Sequence, residues 1–106
     1  MATIDDFKKV ELLVAQIKEV KEHPNADRLY VIQVDTGKDQ RQVVAGIRKA
    51  YTPEQLLGRR VILVANLEPA TIRGEVSNGM LLAASDETTM ALVTPEKDVA
   101  LGSIVK

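Results

Sequence analysis

The chain has 106 residues, a formal net charge of −1, 45% hydrophobic and 27% charged residues, and no cysteine. This size and balance predict one globular domain over 1–106, and the lack of cysteine excludes disulfides, thiol catalysis and thiolate metal sites. No apolar run approaches the ~20 residues of a membrane span, and no apolar signal segment opens the chain. We therefore expect a cytoplasmic protein with no membrane partner.

Charge is distributed unevenly along the chain. Residues 41–73 carry six basic and two acidic side chains, whereas 1–40 and 74–106 are both net acidic. A basic middle third between acidic flanks is compatible with a localised anion-binding face. It is equally compatible with an unevenly charged solvated surface, so charge alone leaves both interpretations open.

The first half of the chain predicts three strands. Residues 10–20 alternate from Val10 to Val14 and then shift phase at Ala15, which predicts a long strand with a β-bulge. A turn cluster follows at 22–27, and the next strand, predicted over 29–35, is apolar enough to be buried on both faces. A glycine-containing hairpin loop over 36–40 leads to a third strand over 42–46.

The second half opens with a helix signal. Within 51–58, Thr52 is an N-cap candidate, Pro53 suits the first helical position and Gly58 suits the exit. Strands are predicted over 60–66 and 80–85, separated by a polar loop at 70–80, with short extra strands over 91–94 and 103–105. Five strands with a short helix between the third and fourth indicate an all-β OB-fold, a Greek-key barrel.

Residues for catalysis or metal binding are scarce. His23 is the single histidine, and without cysteine it cannot form an ordinary zinc site. Neither a nucleophile elbow nor a glycine-rich phosphate loop is present. We expect no enzymatic activity from this chain alone, no cofactor and no metal. The aromatic residues Phe7, Tyr30 and Tyr51 suit packing better than base stacking, which favours recognition of structured RNA through phosphates, sugars and shape.

Several blocks of the sequence carry a resemblance to one known family. They read IDDFKKVELLVAQI (4–17), HPNADRLYVIQVDTG (23–37), VVAGI (43–47), YTPEQLLGRRVILVANLEPATIRG (51–74) and SNGMLLAAS (77–85). The chain resembles the tRNA-binding OB domain found at the C-terminus of many methionyl-tRNA synthetases and as small stand-alone tRNA-binding proteins. The resemblance implies binding to the outer corner of folded tRNA, either beside the catalytic chain of methionyl-tRNA synthetase or alone.

The resemblance also implies which side chains face RNA. In the loop at 70–80 it points to Arg73 for a phosphate or an exposed base and to Ser77 for a phosphate or a 2′-hydroxyl. Met80 suits either an unstacked base or the core. In the first turn the resemblance points to Asn25 and Arg28.

Two further polar residues are candidates for the RNA face. Asn66, at the end of the predicted fourth strand, either caps the following loop or reaches RNA. Arg41 belongs to the alternative binding face, around the first turn, that we expect if the loop at 70–80 is only structural.

The two ends of the chain exceed what a five-stranded barrel needs. Residues 1–9 and 86–106 contain apolar positions, and the resemblance implies a homodimer joined through segments before and after the barrel. Two alternatives to tRNA binding stay open. One is a protein-interaction or dimerisation module for which RNA contact is incidental, and the other is a chaperone, because a secretion-related chaperone family shares this fold and dimer form.

Overall fold

A computed structural model describes residues 1–106 and contains a five-stranded antiparallel sheet that curls into a nearly closed barrel, with strand order β3-β2-β1-β4-β7. The elements are α1 Ile4–Lys8, β1 Leu12–Glu22, β2 Tyr30–Asp35, β3 Gln40–Ala45, α2 Pro53–Leu56, β4 Arg60–Val64, β5 Ala70–Ile72, β6 Glu75–Ser77, β7 Met80–Leu81, β8 Ala83–Ser85 and β9 Met90–Leu92. This architecture confirms the predicted barrel with a short helix between the third and fourth strands. Neither helix is long and apolar enough to cross a membrane.

Strand β1 connects the two halves of the sheet. Its first part pairs with β4 and its second part with β2, and the register shifts between Ile17 and Glu19. The predicted bulge is therefore real but misplaced. The apparent phase shift at Ala15 arises because Leu12–Ala15 are all buried, with alternate residues facing the barrel interior and an outer apolar layer.

That outer layer is built by the C-terminal segment. Leu12, Val14, Ile62 and Val64 form a small cluster outside the barrel. The tail runs along β1, where the Val14 amide donates to the Ser103 carbonyl and the Val105 amide donates to the Leu12 carbonyl, both at 2.9 Å. The strand predicted over 103–105 is thus reduced to one bridge and a few hydrogen bonds. The C-terminal segment nevertheless covers the outer apolar cluster, because Leu101 and Val105 pack against it.

Both helices are defined by capping boxes. The Thr52 hydroxyl accepts from the Gln55 amide and Pro53 occupies the first turn, as the sequence predicts, while Leu56 is fully buried beneath the barrel. The N-terminal helix α1 is not predicted by apolar periodicity because none of its residues is buried. Its signal is local, since Thr3 and Asp6 form a reciprocal capping box.

The polar segment 70–80 is not a plain loop, and that prediction is wrong. Strands β5 and β6 pair across a two-residue turn at Arg73 and Gly74, whose φ values are +54° and +91°. Two consecutive positive φ values define the type I′ turn that tight hairpins require. The strand predicted over 80–85 is divided as well, because the chain leaves the main sheet after β7 so that β8 can pair with β9.

The loop between β2 and β3 supports a pH-dependent prediction. The Thr36 hydroxyl donates to the Asp39 carboxylate and Arg41 lies beside it; together they hold the Asp39 pKa below its ordinary value of 3.8. As pH falls, the Asp39 carboxylate is therefore protonated in the unfolded chain before it is protonated in the folded chain. We expect part of the stability present above pH 3.8 to be lost as pH falls through the folded-state value. Urea midpoints measured across pH 2–6 should show less of this loss in Asp39→Asn, and an unchanged pH profile would contradict the assignment.

Candidate nucleic-acid interface

The first turn and the β5–β6 hairpin are held together at one edge of the barrel. His23 is buried, and its Nε2 lies 3.0 Å from the Ile72 carbonyl oxygen while its Nδ1 accepts from the Asn25 amide at 3.0 Å. These contacts require the neutral tautomer that carries its proton on Nε2. The sequence marks His23 only as a turn residue, because its partner Ile72 is 49 positions away.

This contact brings two of the predicted RNA-binding residues together. Arg28, from the turn, and Arg73, from the tip of the hairpin, line one surface depression of about 380 Å³, together with Asp27. Both arginines are exposed, and neither side chain forms an ion pair or a hydrogen bond within the protein. Asn25 is exposed in the same turn. Two guanidinium groups without internal partners are suited to phosphate binding.

Two further cations, Arg48 and Lys49, differ in whether their side chains have partners within the protein. Arg48 donates to the Ala26 carbonyl and pairs with Glu22 at 2.8 Å, so its charge is largely compensated. Lys49 is exposed and has no ion-pair partner. Lys49 was not among the predicted RNA-binding residues, although it lies in the basic middle third of the chain.

Ser77 lies inside the closure of the barrel. It is 4% exposed, and its hydroxyl accepts from the Val44 amide and donates to the Gly79 carbonyl, both at 2.9 Å. The neighbouring Asn78 amide donates to the Gln42 carbonyl at 2.7 Å. These bonds join β6 to β3 and close the barrel, so the geometry gives Ser77 a structural role, and RNA contact by its hydroxyl stays a prediction.

Replacing Ser77 with alanine is expected to lower stability. The Val44 amide would lose its hydrogen-bond acceptor in a buried position, which costs about 1–3 kcal/mol. Urea unfolding measures the free energy of unfolding. The tRNA affinity, measured under conditions in which the variant is folded, should stay within a few-fold of the parent. A stable Ser77→Ala protein with strongly reduced tRNA affinity would instead assign the hydroxyl to the RNA contact.

Two other candidates have side chains engaged within the protein. The Arg41 guanidinium donates to the Ala65 carbonyl and pairs with Asp39, and its side chain is 16% exposed. Asn66 accepts from the Glu11 amide and donates to the Lys9 carbonyl, both at 2.7 Å. These bonds fix the segment after α1 to the end of β4 and do not cap the loop that follows Asn66, and RNA contact by Asn66 stays a prediction.

Met80 is half exposed and lines an apolar groove of about 420 Å³. The groove lies between β3, the β5–β6 hairpin and the β8–β9 pair, and Ile72 places one wall next to Arg73. The side chain is thus outside the barrel core. No group of three His, Cys, Asp or Glu side chains in the chain is arranged to hold a metal ion.

The family model described as "Putative tRNA binding domain" matches residues 12–104. The chain belongs to this tRNA-binding domain family. Among sequence relatives, it is 55% identical over 102 residues to the methionine–tRNA ligase of Pyrococcus horikoshii, a match that covers 96% of this chain and 14% of the ligase. The chain therefore spans about one seventh of the length of the curated relatives it matches.

Solved structures that the chain resembles share the whole barrel. A MetRS-related protein from Pyrococcus horikoshii superposes with a TM-score of 0.93 at 31% identity, covering 100% of this chain and 98% of that one. The CsaA chaperone protein of Picrophilus torridus superposes with a TM-score of 0.93 at 27% identity, with both chains fully covered. The likeness includes both ends of the chain as well as the barrel.

Proposed function

We propose that this chain is a non-catalytic module that binds the outer corner of folded tRNA through the 23–29 turn and the tip of the β5–β6 hairpin. The observation that carries the proposal is the pair Arg28 and Arg73, two exposed arginines without internal partners, at one edge of a barrel of the tRNA-binding domain family. Asn25 lies in the same turn as Arg28, and the unpaired Lys49 lines a separate depression.

The backbone at Arg73 supports a functional reason for this residue. A φ of +54° is unfavourable for residues other than glycine, asparagine and aspartate. Asn-Gly is the usual pair for such a turn, whereas here the long cation takes the first position. The turn itself does not require an arginine at this unfavourable φ, whereas contact with a ligand would explain why Arg73 is there.

The two segments that carry Arg28 and Arg73 are held rigidly, and this supports recognition of the RNA by its shape. The two arginines are carried by segments joined through His23, and the hairpin is sealed to β3 by Ser77 and Asn78. Such a frame fixes the separation of the two backbone positions that carry the arginines. It is suited to two phosphates at a fixed spacing on a folded RNA, because a flexible single strand does not hold them there.

Comparing two RNAs tests this function. The affinity for folded tRNA should exceed the affinity for an RNA duplex of equal length at the same salt concentration, because the duplex offers charge without the corner. Equal affinities would reduce the interaction to general electrostatics. No binding to either RNA would favour the interaction-module or chaperone alternatives.

The salt dependence of tRNA binding is expected to be shallow. With few free cations on each chain, about 3–5 phosphates are neutralised per dimer, each adding ~0.7–0.9 to the slope of log K against log salt. Titrations from 50 to 300 mM KCl measure this slope. A slope near ten would require a much larger basic surface, and no slope at all would remove phosphate contact.

The same proposal includes a homodimer and association with a methionyl-tRNA synthetase catalytic chain. Exposed apolar residues on α1 and the C-terminal segment support dimerisation: Ile4 is 66% exposed and Ile104 72%. Pairing two barrels would double an RNA-facing surface that is small for one module. Light scattering at micromolar concentration should give the dimer mass, and a monomer mass would contradict this part.

A chaperone function is the second candidate, supported by the likeness to the CsaA chaperone protein together with the apolar groove beside Met80. It would appear as suppression of aggregation of a heat-unfolded client protein at equimolar chain. Excess folded tRNA would leave that suppression unchanged if the client used a surface separate from Arg28 and Arg73.

A further inference from the structure

The buried ring of His23 forms the polar connection between the 23–29 turn and the β5–β6 hairpin. Its Nε2 lies 3.0 Å from the Ile72 carbonyl oxygen, and its Nδ1 accepts from the Asn25 amide at 3.0 Å. No other hydrogen bond joins these two segments. The ring therefore helps to set where the turn lies relative to the hairpin tip.

The two contacts fix the protonation state that the His23 ring can have in this position. A carbonyl oxygen only accepts, so Nε2 carries a proton, and an amide N–H only donates, so Nδ1 carries none. A second proton, on Nδ1, would face the Asn25 N–H with no acceptor between the two donors. A protonated ring therefore loses its contact with the turn.

No ion pair compensates a positive charge on the His23 ring. His23 is 3% exposed, and no carboxylate lies within ion-pair distance of it. The charged residues of the adjoining segments are Glu22, Asp27, Arg28, Arg48, Arg73 and Glu75, and Glu22 is already paired with Arg48. A buried charge without a partner is unfavourable, so protonation is expected to displace the ring from the junction.

We propose that His23 is a positioning residue for the RNA site and that its protonation lowers the affinity for folded tRNA, because it uncouples Arg28 in the turn from Arg73 in the hairpin. The inference rests on the proposed tRNA-binding function and adds a pH response to it. An added positive charge on the protein would by itself strengthen the attraction to RNA phosphates. The sign of the pH response therefore separates positioning from general electrostatics.

Affinity measured against pH tests this coupling. Between pH 7.5 and pH 5.0, at fixed ionic strength, the parent chain should lose about fivefold in affinity for folded tRNA, as expected when one charged contact is lost in part. His23 is the single histidine, and histidine is the side chain that ordinarily titrates in this range. Circular dichroism should show a folded chain at each pH. A loss of affinity that follows unfolding would leave His23 a purely structural role and overturn the proposal.

Two variants each keep one of the two contacts of the ring. The side-chain nitrogen of His23→Gln takes the place of Nε2 and keeps a donor for the Ile72 carbonyl. The side-chain oxygen of His23→Asn takes the place of Nδ1 and keeps an acceptor for the Asn25 amide, as in an Asx-turn. Neither amide titrates, so both variants should give a flat pH profile. At pH 7.5 both should bind tRNA about as weakly as the parent does at pH 5.0.

Arg73→Ala supplies a measurement that a merely structural role of His23 would not change. If His23 acts through the arginine pair, the Arg73→Ala chain should lose most of the pH dependence as well as affinity, and adding His23→Gln should then have a smaller effect. Lys38→Ala is the control with the same change in charge, since Lys38 is exposed beside a different depression. It should keep the pH profile of the parent.

The remaining results distinguish failure of this proposal from failure of the proposed function. If the parent binds tRNA at pH 7.5 and binds equally well or more tightly at pH 5.0, the positioning role is overturned and the proposed function stands. If Arg73→Ala keeps the full pH dependence of the parent, His23 does not act through the arginine pair, and the proposal fails again. If the parent binds no folded tRNA at any pH, both fail together.

Discussion

The double substitution Arg28→Ala/Arg73→Ala is expected to weaken binding of folded tRNA by about 2–5 kcal/mol, since each arginine contributes on the order of 1–3 kcal/mol as a charged contact. Their side chains line the same depression and have no partner within the protein. Each single substitution should give part of the effect, and the two need not add if both arginines hold one phosphate. Filter binding or fluorescence anisotropy at fixed salt measures the change.

A control with the same change in charge makes this result specific. Lys38 and Lys97 are exposed and have no ion-pair partner, and Lys38 lines a different depression beside the C-terminal segment. Lys38→Ala/Lys97→Ala should change tRNA affinity little. Both double variants should unfold near the parent midpoint, because surface substitutions of this kind stay within about 0.5 kcal/mol. Equal losses of affinity in the two double variants would show that net charge, and not the arginine pair, controls binding.

Gly79→Ala is expected to be strongly destabilising. Gly79 has a φ of +132°, and an added Cβ would lie 2.8 Å from Leu63 Cδ1 and 3.0 Å from the Val64 carbonyl oxygen. Leu63 is fully buried and cannot move away without disturbing the barrel. Backbone strain of ~1–3 kcal/mol and overpacking of similar size give a loss of about 2–5 kcal/mol in the free energy of unfolding.

Gly74→Ala separates the two contributions. Gly74 also has a positive φ, +91°, but an added Cβ there would meet no atom within 4 Å. Strain alone should cost this variant roughly 1–2 kcal/mol. Urea unfolding of the two variants measures both values. If Gly74→Ala proved as destabilising as Gly79→Ala, the close approach to Leu63 would not be the cause.

The sequence predicts most of the barrel because its signals are local. Thr52, Pro53 and the following residues specify α2 whatever the rest of the chain does. The β5–β6 hairpin was missed because its local signal is unusual: its turn uses Arg73-Gly74 where Asn-Gly is the recognisable pair. The bulge in β1 was misplaced because the C-terminal segment buries the face of β1 that an isolated strand would expose.

The candidate site is predictable in part, for a related physical reason. A polar residue at the end of a strand has the same sequence signature whether it binds a ligand or caps a neighbouring segment. Asn66 and Arg41 have partners within the protein, whereas Arg28 and Arg73 do not. The partners are remote in sequence, since the Arg41–Ala65 bond spans 24 residues and the Asn66–Glu11 bond spans 55. The contact that brings the arginine pair together, His23 to Ile72, is equally remote in sequence.

Mapping the bound surface by NMR shows directly whether RNA binds at the first turn and the hairpin tip. During titration of the ¹⁵N-labelled chain with folded tRNA, we expect the largest amide shifts in 24–28 and 72–75, with smaller shifts at Gly46 and Lys49. The Arg28→Ala/Arg73→Ala chain should show these shifts only at much higher tRNA concentration. Shifts concentrated instead in 1–9 and 99–106, with the turn and the hairpin tip unaffected, would rule out an RNA face built on Arg28 and Arg73.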